Sequence, residues 1–157
     1  MLSEMARRTI SKDEVRQVLQ EKIARYMNLQ QSIRAYQLVY EVQRNQLEEL
    51  IVTMEALENI KKRGLERFDG FASLGSGVYI YVDGRLGGKI LVNVGANIGV
   101  FMSIDKALEV LKGREEKIRT NMENTAKTLR ELTMLLVRLE QEISTLQQYL
   151  ASLDKKS

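Results

Sequence analysis

The sequence predicts an α+β chain. Two long helices form an antiparallel coiled-coil hairpin, joined by small β-hairpins that pair with strands of other chains to make an intersubunit β-barrel. Three observations predict it. Two arms repeat apolar residues every 3.5 positions, a central segment repeats them every second position, and the 157 residues contain no proline to break a long helix.

In the first arm, alternating steps of three and four residues pass through Leu19, Lys22, Tyr26, Leu29, Ile33, Tyr36, Tyr40, Gln43, Leu47, Leu50, Met54 and Leu57. In the second they pass through Leu108, Leu111, Glu115, Ile118, Met122, Thr125, Leu129, Leu132, Leu136, Leu139, Ile143, Leu146, Leu150 and Leu153. Of these 26 positions 22 are apolar, against about 11 expected at the overall apolar content of 44%. A 3.5 period holds one narrow seam against a partner helix, which distinguishes a coiled coil from a single amphipathic helix on a globule. Ser11-Lys-Asp-Glu14 fits a capping box at the start of the first helix, and Ser103 with Asp105 suits the start of the second. Gly64 fits the end of the first helix, while Gly113 is a weak point inside the second. Each helix of about 50 residues would be roughly 75 Å long. An antiparallel pairing that sets Leu57 against Leu108 also sets Leu19 against Leu146 and Val15 against Leu150, and brings both termini to one end.

At that end Val15, Val18, Leu19 and Ile23 on one helix, with Leu146, Tyr149, Leu150 and Leu153 on the other, stay apolar to within a turn or two of the helix ends. Leu19 and Leu146 lie on the seam. Val18, Ile23 and Tyr149 fall off it, so they are expected to be exposed and able to meet another apolar surface.

Between the arms the period falls to two. Val78, Ile80 and Val82 alternate with Tyr79 and Tyr81, and Ile90, Val92 and Val94 alternate with Leu91 and Asn93. Ile98, Val100 and Met102 follow a turn at Ala96-Asn97; Asp83-Gly84 reads as another turn, and Phe71 to Leu74 as a further short strand. These strands are apolar on both faces, because Tyr79, Tyr81, Leu91 and Phe101 lie opposite the valine and isoleucine rows. Three or four short strands cannot cover both faces and their own edges, so pairing with other chains into a closed barrel is the expected remedy. The expected assembly residues are Val78, Ile80, Val82, Ile90, Val92, Val94, Ile98, Val100 and Phe101.

Composition narrows the chemistry. With no cysteine and no histidine, disulfides, thiolate metal sites, cysteine nucleophiles and histidine bases are excluded, and no enzyme or metal site is expected. Seven of the ten glycines fall between Gly75 and Gly99, yet Gly75-Ser-Gly77 is only half of a dinucleotide fingerprint and precedes a strand. Tight turns and strand bends explain these glycines better, and no cofactor is expected. A net charge of +3 from 24 basic and 21 acidic residues, interspersed along the arms, reads as a solvated exterior. The cluster Lys61-Lys62-Arg63 and the pair Arg7-Arg8 are read as ordinary surface rather than a nucleic-acid site. No apolar run reaches the roughly 18 residues of a membrane span and no signal-peptide core precedes the first helix, so a cytoplasmic protein is expected.

Long helix, small hairpins, long helix: the chain resembles the α-class subunits of prefoldin. The resemblance rests on Leu74-Gly-Ser-Gly-Val78, Tyr81-Val-Asp-Gly84, Ile90-Leu-Val-Asn-Val-Gly-Ala-Asn97 and Ser103-Ile-Asp-Lys-Ala-Leu108. Ser73 stands where the family often has proline, and Phe101-Met102 where many members carry a charged pair. The resemblance implies a nucleotide-independent chaperone, a hexamer of two α-class and four β-class chains whose β-hairpins assemble a central double barrel from which six coiled coils hang. Its coiled-coil tips would hold non-native polypeptides and pass them to a cytosolic group II chaperonin; Val15, Val18, Leu19, Ile23, Leu146, Tyr149, Leu150 and Leu153 would form the tip here. Residues 1–68 would be the N-terminal coiled-coil helix, 69–103 the β-hairpin assembly segment and 104–157 the C-terminal coiled-coil helix of one structural domain. The competing reading is a coiled-coil adaptor or scaffold that docks folded partners, with neither nucleic acid nor membrane as a target.

Overall fold

A reciprocal pair of hydrogen bonds starts the first helix. Ser11 N–H donates to Glu14 Oε2 at 2.9 Å and Glu14 N–H donates to Ser11 Oγ at 3.2 Å, satisfying amides that a helix start leaves free. The structure, a computed structural model, describes residues 11–64, 67–85 and 87–155; Arg7 and Arg8 lie outside them. Helix α1 covers Lys12–Arg63, with Asp13 and Glu14 in its first turn and Lys61, Lys62 and Arg63 in its last, each sign at the helix end that favours it. That placement gives the basic cluster a structural role. Gly64 follows with φ +58°, its N–H donating to Lys61 O at 3.4 Å, a left-handed stop that glycine adopts at no steric cost.

Helix α2 covers Ile104–Asp154 and opens at Ser103, whose Oγ accepts from Lys106 N at 3.2 Å and whose carbonyl accepts from Ala107 N at 2.9 Å. Gly113 leaves it unbroken. On α2 every seam position from Leu108 to Leu153 is buried or half-buried, and on α1 every one from Leu19 to Leu57 except Tyr36, which is 40% exposed. The 3.5-residue stripe is therefore the covered stripe.

The chain divides into two compact units, Met1–Val42 with Glu123–Ser157, and Gln43–Met122. Within the first, the two helix segments run antiparallel, joined by ion pairs Lys12–Asp154 and Lys22–Glu142, the latter at 2.6 Å. Within the second, Lys61 pairs with Asp105 at 2.5 Å. In the predicted register residues 12, 22 and 61 face 153, 143 and 104. Each ion pair falls one position from that, at 154, 142 and 105.

The second unit also holds the strands. β1 (Arg67–Gly75) pairs antiparallel with β2 (Val78–Arg85), and β3 (Ile90–Gly95) with β4 (Ile98–Met102). Among the described residues no strand of one hairpin pairs with the other, so no barrel closes within a single chain. Ala96 and Asn97 make the second reversal as expected, with φ +48° and +59°. The first is made by Ser76 and Gly77 (φ +51° and +76°), not by Asp83-Gly84. Both latter residues lie inside β2, opposite Asp69 and Phe68, because Arg67 anchors Asp83 through two hydrogen bonds of 3.1 and 2.8 Å. β1 thereby grows well beyond the expected Phe71–Leu74 run.

Candidate functional site

Apolar side chains stand open at many points along the helices, among them Met27, Leu38, Val42, Val52 and Met134, and in the two regions that the sequence singles out. The first is the end of the helix pair in the unit that contains Ser11. Val15 is 4% exposed and its N–H donates to Ser11 O at 3.1 Å, so it belongs to the packed seam. Leu19, Leu146, Leu150 and Leu153 are half-buried. Val18, Ile23 and Tyr149, the three off-seam residues, are 41%, 37% and 44% exposed. Each leaves apolar surface open beside the half-buried seam residues.

Charge frames this end. Lys12, through a hydrogen bond and its charge, holds the Asp154 carboxyl below the usual carboxylate range, and Lys22 does the same to Glu142. Both pairs are largely in water, so their role is to fix register more than to add stability.

The second region is the pair of hairpins. In β3–β4 one face carries Ile90, Val92, Val100 and Met102 and the other Leu91, Asn93, Gly99 and Phe101, as the register requires. Val92 is 8% exposed, Ile90 and Met102 are half-buried, and Val100 remains open, so the valine face is partly covered within the chain. Arg114 of α2 donates to the Asn93 carbonyl and ties this hairpin to the helix. The opposite face is bare: Leu91 and Phe101 are 58% and 68% exposed. A Cβ on Gly99 would lie 2.8 Å from Leu91 Cδ1, so glycine is what lets the leucine lie flat across its neighbouring strand.

In β1–β2, Phe71, Tyr79 and Tyr81 share a face with Arg67, Asp69 and Asp83. Phe71 and Tyr81 meet edge to face with centroids 5.7 Å apart, and Tyr81 Oη donates to Asp69 Oδ2 at 3.0 Å. The Arg67 guanidinium pushes the Asp83 carboxyl below its usual range. Val78 and Ile80 are exposed and Val82 half-buried; in the other hairpin Val94 and Ile98 are exposed. The expected row is therefore mostly open, Val92 being its buried member. Phe71, Tyr79, Tyr81 and Leu91, outside the expected set, are exposed as well; for Tyr79, Tyr81 and Leu91 alternation with the valine and isoleucine rows was the signal in the sequence.

A family profile described as Prefoldin subunit matches residues 11–149. The chain belongs to the prefoldin family. A prefoldin subunit alpha of Archaeoglobus fulgidus is 31% identical over 133 residues, covering 83% of this chain and 94% of that relative. One from Methanosarcina acetivorans is 26% identical over 137 residues, covering 85% and 96%. The kinship is thus with α-class prefoldin subunits, chaperone-type proteins. The fold is also that of a chain in the cryo-EM structure of filamentous PFD from Methanocaldococcus jannaschii, with a TM-score of 0.62, 19% identity, and coverage of 78% of this chain and 98% of that one. In this prefoldin subunit the described residues hold no cluster of three or more Asp or Glu placed to bind a metal ion, and no helix among them is long and apolar enough to cross a membrane.

Proposed function

We propose that the chain is the α-class subunit of a cytoplasmic prefoldin hexamer, two α with four β chains, that holds non-native polypeptides without nucleotide and delivers them to a group II chaperonin. The observation that carries this reading is the exposure of Val18, Ile23 and Tyr149 beside a stretch of seam whose own residues are buried or half-buried. Val18, Ile23 and Tyr149 lie inside α1 and α2, where the backbone is hydrogen-bonded along the helix, so they offer side chains alone, and apolar side chains attract without direction. That suits clients of many sequences. Leu19, Leu146, Leu150 and Leu153 complete the patch, with Val15 packed beneath it. One such patch binds weakly; several on one scaffold raise the effective concentration and give avidity, while weak single contacts permit release.

Assembly falls to the hairpins. Both strands of each two-stranded hairpin are edges, and their bare faces carry aromatic and branched side chains that strands of another subunit would cover. The second α subunit and the β-class chains supply those strands in this reading.

The test is protection of several unrelated, chemically denatured proteins from aggregation by the complex assembled with β-class subunits, at near-equimolar ratio and without ATP. Broad protection is the expected outcome. An adaptor for folded partners would protect none of them, and that result would overturn the proposal.

A further inference from the structure

A groove along the side of the helix pair, continuing from the end framed by Lys22 and Glu142, combines an apolar floor with unspent positive charge. Arg25 and Leu29 of α1 line it with Leu135, Arg138, Leu139 and Glu142 of α2. All six lie in the same compact unit. Leu139 is buried, Leu135 is about half exposed, and beside it Met134 is 73% exposed in an adjoining cleft shared with Glu131, Leu135 and Arg138. A helix pair of ordinary composition places charged residues at such outward positions; here methionine and leucine stand there instead.

The charges are unbalanced. Lys22 is already bound to Glu142 at 2.6 Å. Arg25 and Arg138 lie near enough for their charges to favour the ionised Glu142, after the larger effect of Lys22, yet among the described residues neither makes an ion pair or hydrogen bond of its own. Glu131 stands in the adjoining cleft without an ion pair. Two guanidiniums thus flank an open apolar floor with their donors free, and the guanidinium fork matches a carboxylate. A second copy docked by two-fold symmetry would have to set a carboxylate against each arginine, and Glu142, the carboxylate that lines the groove, is already held by Lys22. No aromatic side chain lines the groove on which a nucleic-acid base would stack.

We infer that this groove is a second contact for client polypeptide, selective for segments in which an aliphatic side chain is flanked by carboxylates. The aliphatic group covers Leu135 and Met134 while the carboxylates meet Arg25 and Arg138. The inference rests on the client-binding reading above and adds a preference that the apolar end cannot supply, because Val18, Ile23 and Tyr149 do not distinguish acidic from basic flanks.

Fluorescein-labelled decapeptides test it on the full-length chain in its assembled form. An alternating leucine–glutamate peptide is expected to bind, more weakly as salt rises, whereas leucine–lysine and serine–glutamate peptides bind at least tenfold less well. R25Q/R138Q is expected to weaken the leucine–glutamate peptide about fivefold to tenfold, the size of two exposed charge contacts. Equal binding of the leucine–lysine peptide, or an unchanged affinity in R25Q/R138Q, overturns the inference. V18S/I23S/Y149S separates the two readings: peptide binding retained while aggregation suppression falls supports the groove as a separate contact, and peptide binding lost places the site at the helix end instead. A wild-type assembly that protects no denatured protein but binds the peptide through Arg25 and Arg138 would sink the holdase proposal and keep the groove.

Discussion

Replacing Val18, Ile23 and Tyr149 together by serine tests the proposed client surface without touching the seam. Full burial of a side chain of this size contributes about 1.5–3 kcal/mol. With 41%, 37% and 44% of their surface open, docking can bury only about two-fifths of each, so the three together supply about 2–4 kcal/mol before ordering costs. Ordering the client segment offsets a large part, leaving an expected loss of about 1–2 kcal/mol per helix end, or roughly fivefold to thirtyfold in affinity. Multivalency amplifies that loss in the assembled complex. The assay is light scattering by a diluted, denatured protein at equimolar complex, with helix content followed by circular dichroism and assembly by native mass measurement. Suppression should fall severalfold while both controls hold. Unchanged suppression in an intact complex refutes the assignment of the client surface to this end.

Gly113→Ala should stabilise α2 by about 0.5–1 kcal/mol, seen as a higher Tm, because the site is helical and a Cβ there meets nothing within 4 Å. Gly99→Ala should displace the open Leu91 side chain at little cost to the β3–β4 hairpin itself and so weaken subunit assembly; unchanged assembly by native mass measurement would remove Leu91 from that contact. The carboxyls of Asp83, Glu142 and Asp154 all have depressed pKa values in the folded chain, so their contribution is complete above the ordinary carboxylate range near 4 and is lost as pH falls through the lower folded values. A carbon-detected NMR titration of Lys22→Met should accordingly show the Glu142 carboxyl moving up toward its ordinary value.

The helices were legible because their signal is repeated. A 3.5-residue period over many turns, two caps and a glycine stop leave little freedom in where each starts, what it buries or how the pair is registered. The first hairpin was less legible. Asp83-Gly84 has the composition of a turn, but turn propensity is local, and the bidentate contact from Arg67, sixteen residues away, holds the pair inside a strand. Ser76, a non-glycine residue at positive φ, carries the reversal with little advertisement. At the helix end, departure from the seam identified the exposed residues, while Val15 shows how close to a terminus a seam can stay packed. The arginine groove was not legible at all. Arg25 and Arg138 look like ordinary coiled-coil charges in the sequence, and only the pairing of Lys22 with Glu142 reveals that they lack partners.

Exposed apolar residues occur both on the hairpins and at the helix end, yet on the proposed reading one region selects fixed neighbours and the other accepts many clients. The backbone makes the difference. A strand edge presents alternating N–H and C=O groups, and a partner strand must match them in register; a one-residue slip turns every side chain to the wrong face. Contacts there are directional, so they choose a subunit and keep it. Around Val18, Ile23 and Tyr149, each more than a turn inside its helix, the backbone is hydrogen-bonded along α1 and α2, and nothing there demands register from an incoming chain. Val18, Ile23 and Tyr149 can then reward any apolar segment a little and none very much. Phe101, 68% exposed beside Leu91, belongs by this argument to the selective region, where a neighbouring strand or side chain with an apolar surface must cover it. Phe101→Glu should therefore impair assembly while leaving the exposed end of the helix pair unaltered.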